Sequence, residues 1–232
     1  MKSKLKNYLG QLRLYSLVDL ILMMFAATAP LGPIFGAVML HVGFLAFLES
    51  RHKQPGREPV IGDLPWALCV LIGGTYFGAH HQNEIVLYLC CSIQYARKKD
   101  GRWGLLSPFF RGAQVFALTS PFADFRFSVV AAIATAIRNA LGDWRDVNAD
   151  RYDAMKTWPV ILGVKDDWHF LHLGATIATT WLWWLFTEDL SIFCPASLTL
   201  IEFRTYYLTP RNSNARALIR LRGFARRLHL VA

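Results

Sequence analysis

Residues Leu17–Leu48, LVDLILMMFAATAPLGPIFGAVMLHVGFLAFL, carry only Asp19 and His41 as strongly polar side chains. A bilayer core is spanned by about 20 apolar residues, and an apolar run longer than this has no ordinary place in a soluble core. Further apolar stretches cover 64–92, 104–122, 125–142, 168–187 and 190–207. In lipid every backbone N–H and C=O must be paired within its own segment, so helices are expected. The runs do not alternate with a period of two, which argues against the strands of a porin-like barrel. The expected fold is all-α: a polytopic transmembrane helix bundle of about six spans, beginning with 17–48.

The rest of the composition agrees with this. Of 232 residues, 54% are hydrophobic, and the mean hydropathy is +0.29. The apolar run that follows Lys2, Lys4 and Lys6 is too long for a signal core, so Met1–Leu14 reads as a basic cytoplasmic lead. Cys69, Cys90, Cys91 and Cys194 lie in apolar stretches without a CxxC or zinc spacing, and read as small packing residues. Trp181, Trp183 and Trp184 close a span, as an aromatic belt does. The net charge of +9 is concentrated late: Arg204–Ala232 holds seven arginines and no carboxylate. Next to apolar spans, such a tail is expected to meet anionic lipid headgroups rather than nucleic acid. The chain reads as a single membrane-embedded domain over 1–232, with a basic amphipathic C-terminal segment at about 208–232.

Pro30-Leu31-Gly32-Pro33 must kink or break the first run, leaving either one long bent span or a tight helical hairpin. A single crossing, with 64–92 also taken as one span, puts the N-terminus, Arg97–Arg102, the 143–156 segment and the tail on one side. It leaves Arg51, Lys53 and Arg57 as exceptions. The single crossing is therefore the expectation. The multi-pass chain would sit in the inner (plasma) membrane, with residues 143–156 cytoplasmic.

From Arg138 the sequence reads RNALGDWRDVNADRYDAMKTWPVILG. Asn139, Asp143, Asp146 and Asp150 are spaced i, i+4, i+7 and i+11, a narrow helical stripe at about 100° per residue. Stacked carboxylates repel unless cations lie between them. Hard oxygen ligands suit Mg²⁺, which keeps waters and bridges to substrate phosphates. Arg151 and Lys156 follow, and are placed to meet phosphate oxygens. The expected ligand is a diphosphate held by Mg²⁺ near the membrane surface, its lipid tail among the helices. The plainer reading is a solvated charged loop after a span.

This order of residues resembles the second aspartate-rich motif of the UbiA superfamily of intramembrane prenyltransferases. The matching residues are Asn139, Asp143, Asp146, Asp150, Arg151, Lys156, Thr157, Pro159, Val160 and Gly163. Ala154 stands where that family commonly has Gly, and Trp158 where Leu is usual. The resemblance implies a bundle shorter than the family's nine spans, and Mg²⁺-dependent transfer from a prenyl diphosphate to an aromatic or other lipophilic acceptor. It implies Asp143, Asp146 and Asp150 as catalytic metal ligands with Asn139 in support, and Arg151 and Lys156 on the diphosphate. It also implies a facing first motif about four spans earlier. Asn83 and Glu84 fit the opening pair of that motif, Leu87 and Cys91 stand where aspartates are expected, and Arg97 and Lys98 match the basic residues after it.

Two other classes compete. A shortened, non-catalytic homologue would at most bind a lipid diphosphate. A membrane di-metal oxidase would use His80, His81, Glu84, His169 and His172, but such enzymes need more histidines than the seven present.

Overall fold

The computed structural model describes residues 15–50, 63–100, 103–152, 154–165 and 169–186. The expected span at 190–207, the basic lead and the arginine-rich C-terminal segment lie outside the described residues. Within them every regular element is helical, so the all-α expectation holds. The α-helices are α1 Tyr15–Ala26, α2 Leu31–Ser50, α3 Asp63–Phe77, α4 Gln82–Ala96, α5 Ser107–Thr119, α6 Phe125–Arg145, α7 Val147–Tyr152, α8 Trp158–Ile161 and α9 His169–Phe186.

Two of the expected spans are pairs of helices. The 17–48 run breaks at Ala27–Pro30, where Thr28 takes a left-handed φ of 56°. The chain then doubles back: Ser16 Oγ lies 3.1 Å from His41 Nε2. In one continuous crossing, those residues would be separated by about 37 Å. The hairpin, not the bent single span, is what forms. The 64–92 run breaks at Gly78, whose φ of 117° is open to glycine alone. A single turn, Ala79–His81, then leads into α4.

The helices alternate in direction. α2 and α3 run antiparallel, with Phe35 against Tyr76 at one end and Phe47 against Trp66 at the other. Their backbones nearly touch. A Cβ added at Gly36 would come 2.7 Å from Phe77 Cα, and one at Gly73 would come 2.7 Å from Leu40 N. α4 and α5 are antiparallel through Ser92–Gln114 and Tyr95–Arg111. α5 and α6 pair from Ser107–Asp143 to Phe116–Phe125. At Gly112 the backbone of Ala132 leaves no room for a side chain. α9 joins through Trp183 on Phe127. One end of the bundle thus gathers Ser16, Lys98, Ser107 and Asp143, and the other gathers Phe77, His81 and Phe122.

Among the described residues, one helix is long and apolar enough to cross a bilayer, over Leu31–Leu48. Ser16–Ala26 and Leu64–Phe77 are apolar but shorter. Much of the outer surface is nonetheless aliphatic or aromatic: Leu64 is 71% and Leu71 68% exposed, and Val86, Ile93, Phe109, Phe125 and Ile177 also face outward.

Candidate functional site

Inside this apolar bundle lies a polar cavity of about 170 Å³, at the end where α1 begins and α4 and α6 finish. Its lining includes Asp19, Asp143, Asp146 and Asp150 together with Lys98, Arg111, Arg138 and Arg145. Four carboxylates and four cations therefore leave the wall close to neutral. The helical stripe read from the sequence is the reason three of these aspartates share a cavity. Asn139 and Asp143 end α6, Asp146 caps it, and α7 continues from Val147 to bring Asp150 round to the same face.

Lys98 closes the stripe from the other side. It is only 7% exposed; its ammonium bonds Asp143 and lies 3.8 Å from Asp150 Oδ2. Asp143 and Asp150 are each 4% exposed. Ser107 Oγ lies 3.1 Å from the second Asp143 oxygen. Burial raises the Asp143 pKa above the usual carboxylate range, and the Lys98 charge and hydrogen bond oppose it. Burial likewise pushes Asp150 up to about 6; Lys98 opposes that shift while Asp143 and Asp146 add to it. For Lys98 burial alone would lower the pKa, but Asp143, Tyr95 and Asp150 outweigh it and the net direction is upward. Asp146 is gripped at both oxygens by Arg145, each contact being 2.9 Å.

Deeper in, Asp19 pairs with Arg138. The Arg111 guanidinium lies 5.0 Å from the Phe44 ring centroid and 5.8 Å from that of Tyr95, and it donates to the neutral Gln114 amide. Tyr95 donates its hydroxyl proton to Asn139 Oδ1 at 3.0 Å, leaving buried Asn139 Nδ2 without an acceptor. The Asn139 oxygen keeps a second lone pair beyond the Tyr95 bond. His41 links Ser16 to Tyr88 across α1, α2 and α4.

The remaining expected site residues lie elsewhere. Asn83 is exposed and Glu84 half-buried at the start of α4, the end of that helix opposite Lys98. Leu87 is exposed and Cys91 buried, and neither lines the cavity; the α4 face that does is Tyr88 and Tyr95. Arg97 is exposed and donates to Gln94. Arg151, one residue past Asp150 and so about 100° round the helix, faces out and bonds Asn148 Oδ1 and the Val164 carbonyl. Lys156 is exposed beyond the turn that ends α7. At the far end, His80 is exposed, and the His81 ring packs edge-on against Phe77 and Phe122. Asp19, Arg111 and Arg138 were missing from the sequence expectation. Their signal was a charge inside an apolar segment, which in lipid must face a partner or a cavity.

The segment after the stripe is held by two consecutive left-handed caps. Met155 N–H bonds the Asp150 carbonyl and Ala154 N–H the Arg151 carbonyl, with Ala154 at φ 54°. Val164 and Gly163 repeat the pattern on Pro159 and Val160, with Gly163 at φ 67°. Trp158 Nε1 donates to the Leu105 carbonyl at 2.8 Å, tying α8 to the entry of α5.

Among the described residues no three His, Cys, Asp or Glu side chains are grouped closely enough to enclose a metal. Mg²⁺ does not require that: one or two carboxylates plus substrate phosphates and water suffice. Asp150 Oδ2, buried and without a hydrogen-bond donor, is such an available ligand atom. The oxygen donors suit the ion in chemistry, while their charge is met in this structure by Lys98 and Arg145. Comparison with protein families, with characterised proteins and with solved structures finds no match to this chain.

Proposed function

We propose that this chain is a membrane-embedded, UbiA-like prenyltransferase that moves a prenyl group from its diphosphate to an aromatic or other lipophilic acceptor. The observation that carries the reading is the buried charged cavity, lined by Asp143, Asp146 and Asp150, within a bundle whose outer faces are apolar. A cavity of about 170 Å³ is headgroup-sized, well below the roughly 300–1,000 Å³ of sites that enclose whole ligands. A lipid chain would therefore extend among the helices or into bilayer.

Asp143, Asp146 and Asp150 would hold Mg²⁺, which withdraws charge from the departing diphosphate. The chain's own cations do the rest. Arg111 presents a planar guanidinium fork suited to phosphate oxygens, while Arg138 and Arg145 line the cavity held by Asp19 and Asp146. Arg111 is kept in place by the Phe44 and Tyr95 rings. As the prenyl C–O bond breaks, its electrons leave with the diphosphate. The buried wall keeps water from the allylic cation until the acceptor attacks and releases a proton.

Purified protein in detergent, given Mg²⁺ and a panel of prenyl diphosphates, is expected to release diphosphate. Asp146→Ala and Asp150→Ala should each lower that rate by about 100-fold or more. Wild-type prenyl transfer by both variants would remove the site assignment. The absence of aspartates at Leu87 and Cys91, where the resemblance expects them, favours a second reading, a homologue that binds a lipid diphosphate without turnover. Tight binding of a prenyl diphosphate with no release by wild type identifies that case. Restoring Asp at 87 and 91 is a poor discriminator, because neither position lines the cavity.

A further inference from the structure

We propose that the Lys98 ammonium is a tethered counter-ion occupying the place between Asp143 and Asp150 that a divalent cation would take, so that cation binding here proceeds by displacing a lysine. The inference rests on the reading of the aspartate stretch as a cation-dependent diphosphate site, and states what that site releases in order to load.

The geometry is specific. Lys98 bonds one oxygen of Asp143 but stands 3.8 Å from Asp150 Oδ2, too far for a hydrogen bond. Asp150 Oδ2 is buried and has no hydrogen-bond donor. Lys98 and the Ser107 hydroxyl thus share the two oxygens of Asp143, and Asp150 is served only in part. A divalent ion, binding oxygens at about 2.1 Å, would serve both. It cannot share the space with the ammonium, because like charges at such range in a buried site repel strongly.

The lysine is also built to leave. It lies in the single turn Arg97–Asp100 after α4, on a flexible four-carbon stem. The α4 wall facing the aspartates brings Tyr88, Tyr95 and then Lys98 to the cavity, and no carboxylate. The wall that could have supplied ligands for a further cation supplies a cation instead. An arriving diphosphate gives the displaced ammonium a new partner of opposite charge.

The test is Mn²⁺ binding to the purified full chain in detergent, followed by electron paramagnetic resonance, with Mn²⁺ standing in for Mg²⁺. Lys98→Met is expected to bind Mn²⁺ about tenfold more tightly than wild type, while Lys98→Arg stays near wild type. On wild type alone, saturating Mn²⁺ should speed modification of Lys98 by an amine-reactive ester about fivefold, read by mass spectrometry. Equal affinity in wild type and Lys98→Met overturns this inference and leaves the cation site standing. No binding to either protein overturns both. If Lys98→Met does not fold, unchanged Lys98 labelling at saturating Mn²⁺ overturns the inference by itself.

Discussion

Ala154 is an L-residue held at φ 54°, in the turn that aims the chain from α7 toward Thr157. The left-handed region costs an L side chain roughly 1–2 kcal/mol, and glycine nothing of that kind. Part of the gain from glycine returns as unfolded-chain entropy. Ala154→Gly is therefore expected to stabilise the protein by about 0.5–1 kcal/mol, seen as a rise of a few degrees in the unfolding midpoint in detergent. A fall in the midpoint would show that the alanine methyl makes a contact worth more than its strain. Asp150 gives a second prediction. Its pKa of about 6 lies above the ordinary 3.8, so the folded state binds this proton more tightly than the unfolded chain. The associated stability is complete below pH 3.8 and is lost as the pH rises through about 6. In EDTA the unfolding midpoint should thus decline across that window. Mn²⁺ needs the ionised form, so its affinity should fall as the pH drops below about 6 and level off above 7. A flat Mn²⁺ affinity from pH 5 to 8 would remove Asp150 as a ligand.

The helices hold together through small residues as much as large ones. Gly36 and Gly73 let α2 and α3 approach until side chains on either would overlap backbone. Such close approach is how helices associate where burial from water gives no drive. Gly36→Val should cost about 1–3 kcal/mol or more, since the blocking atoms belong to Phe77 and Gly73 backbone and cannot rotate away. Gly74→Ala, with nothing within 4 Å, is the control expected to hold or slightly raise the unfolding midpoint, because alanine favours the helix. The elements also show what the sequence makes legible. A helical period fixes which residues of one helix share a face, so spacing alone is enough to put Asn139, Asp143, Asp146 and Asp150 together. Pairing between helices has no such local rule. Lys98 could be tied to Asp143 only through the resemblance, and the pairing of Asp19 with Arg138 joins positions 119 residues apart. Asn83 and Glu84 were misplaced for a related reason. The break at Gly78 reverses the chain, which puts the start of α4 at the wrong end of the bundle. Composition showed that the long runs were apolar, but the lengths of the helices inside them depended on two turns, at Thr28 and Gly78, that hydropathy does not register.

At the scale of the whole molecule those two turns act together. A hairpin at Thr28 alone would carry Arg97–Arg102 and the aspartates to the opposite side from the N-terminus. The second reversal at Gly78 returns them. All the site-end connections then carry the basic residues: Arg51, Lys53 and Arg57 after α2; Arg97, Lys98, Lys99 and Arg102 after α4; Arg151, Lys156 and Lys165 after α6. The far-end connections 27–30, 78–81 and 120–124 contain no Lys or Arg, and exposed Arg126, in the first turn of α6, stands beside the last of them. Arg51, Lys53 and Arg57, exceptions under a single crossing, become part of the rule. If the bundle lies in a membrane, this asymmetry orients it with the aspartate cavity facing the cytoplasm. The check is site-directed labelling in a background without native cysteines, using a membrane-impermeant maleimide. Arg97→Cys and Lys156→Cys should react in inside-out vesicles, and His80→Cys and Asp124→Cys in right-side-out vesicles, all four being exposed. Reaction of Lys156→Cys and Asp124→Cys from the same side would break the alternation, because α6 would then not cross. Release of the chain from vesicles by alkaline carbonate would mean that the exposed Leu64, Leu71 and Phe125 meet another surface than lipid.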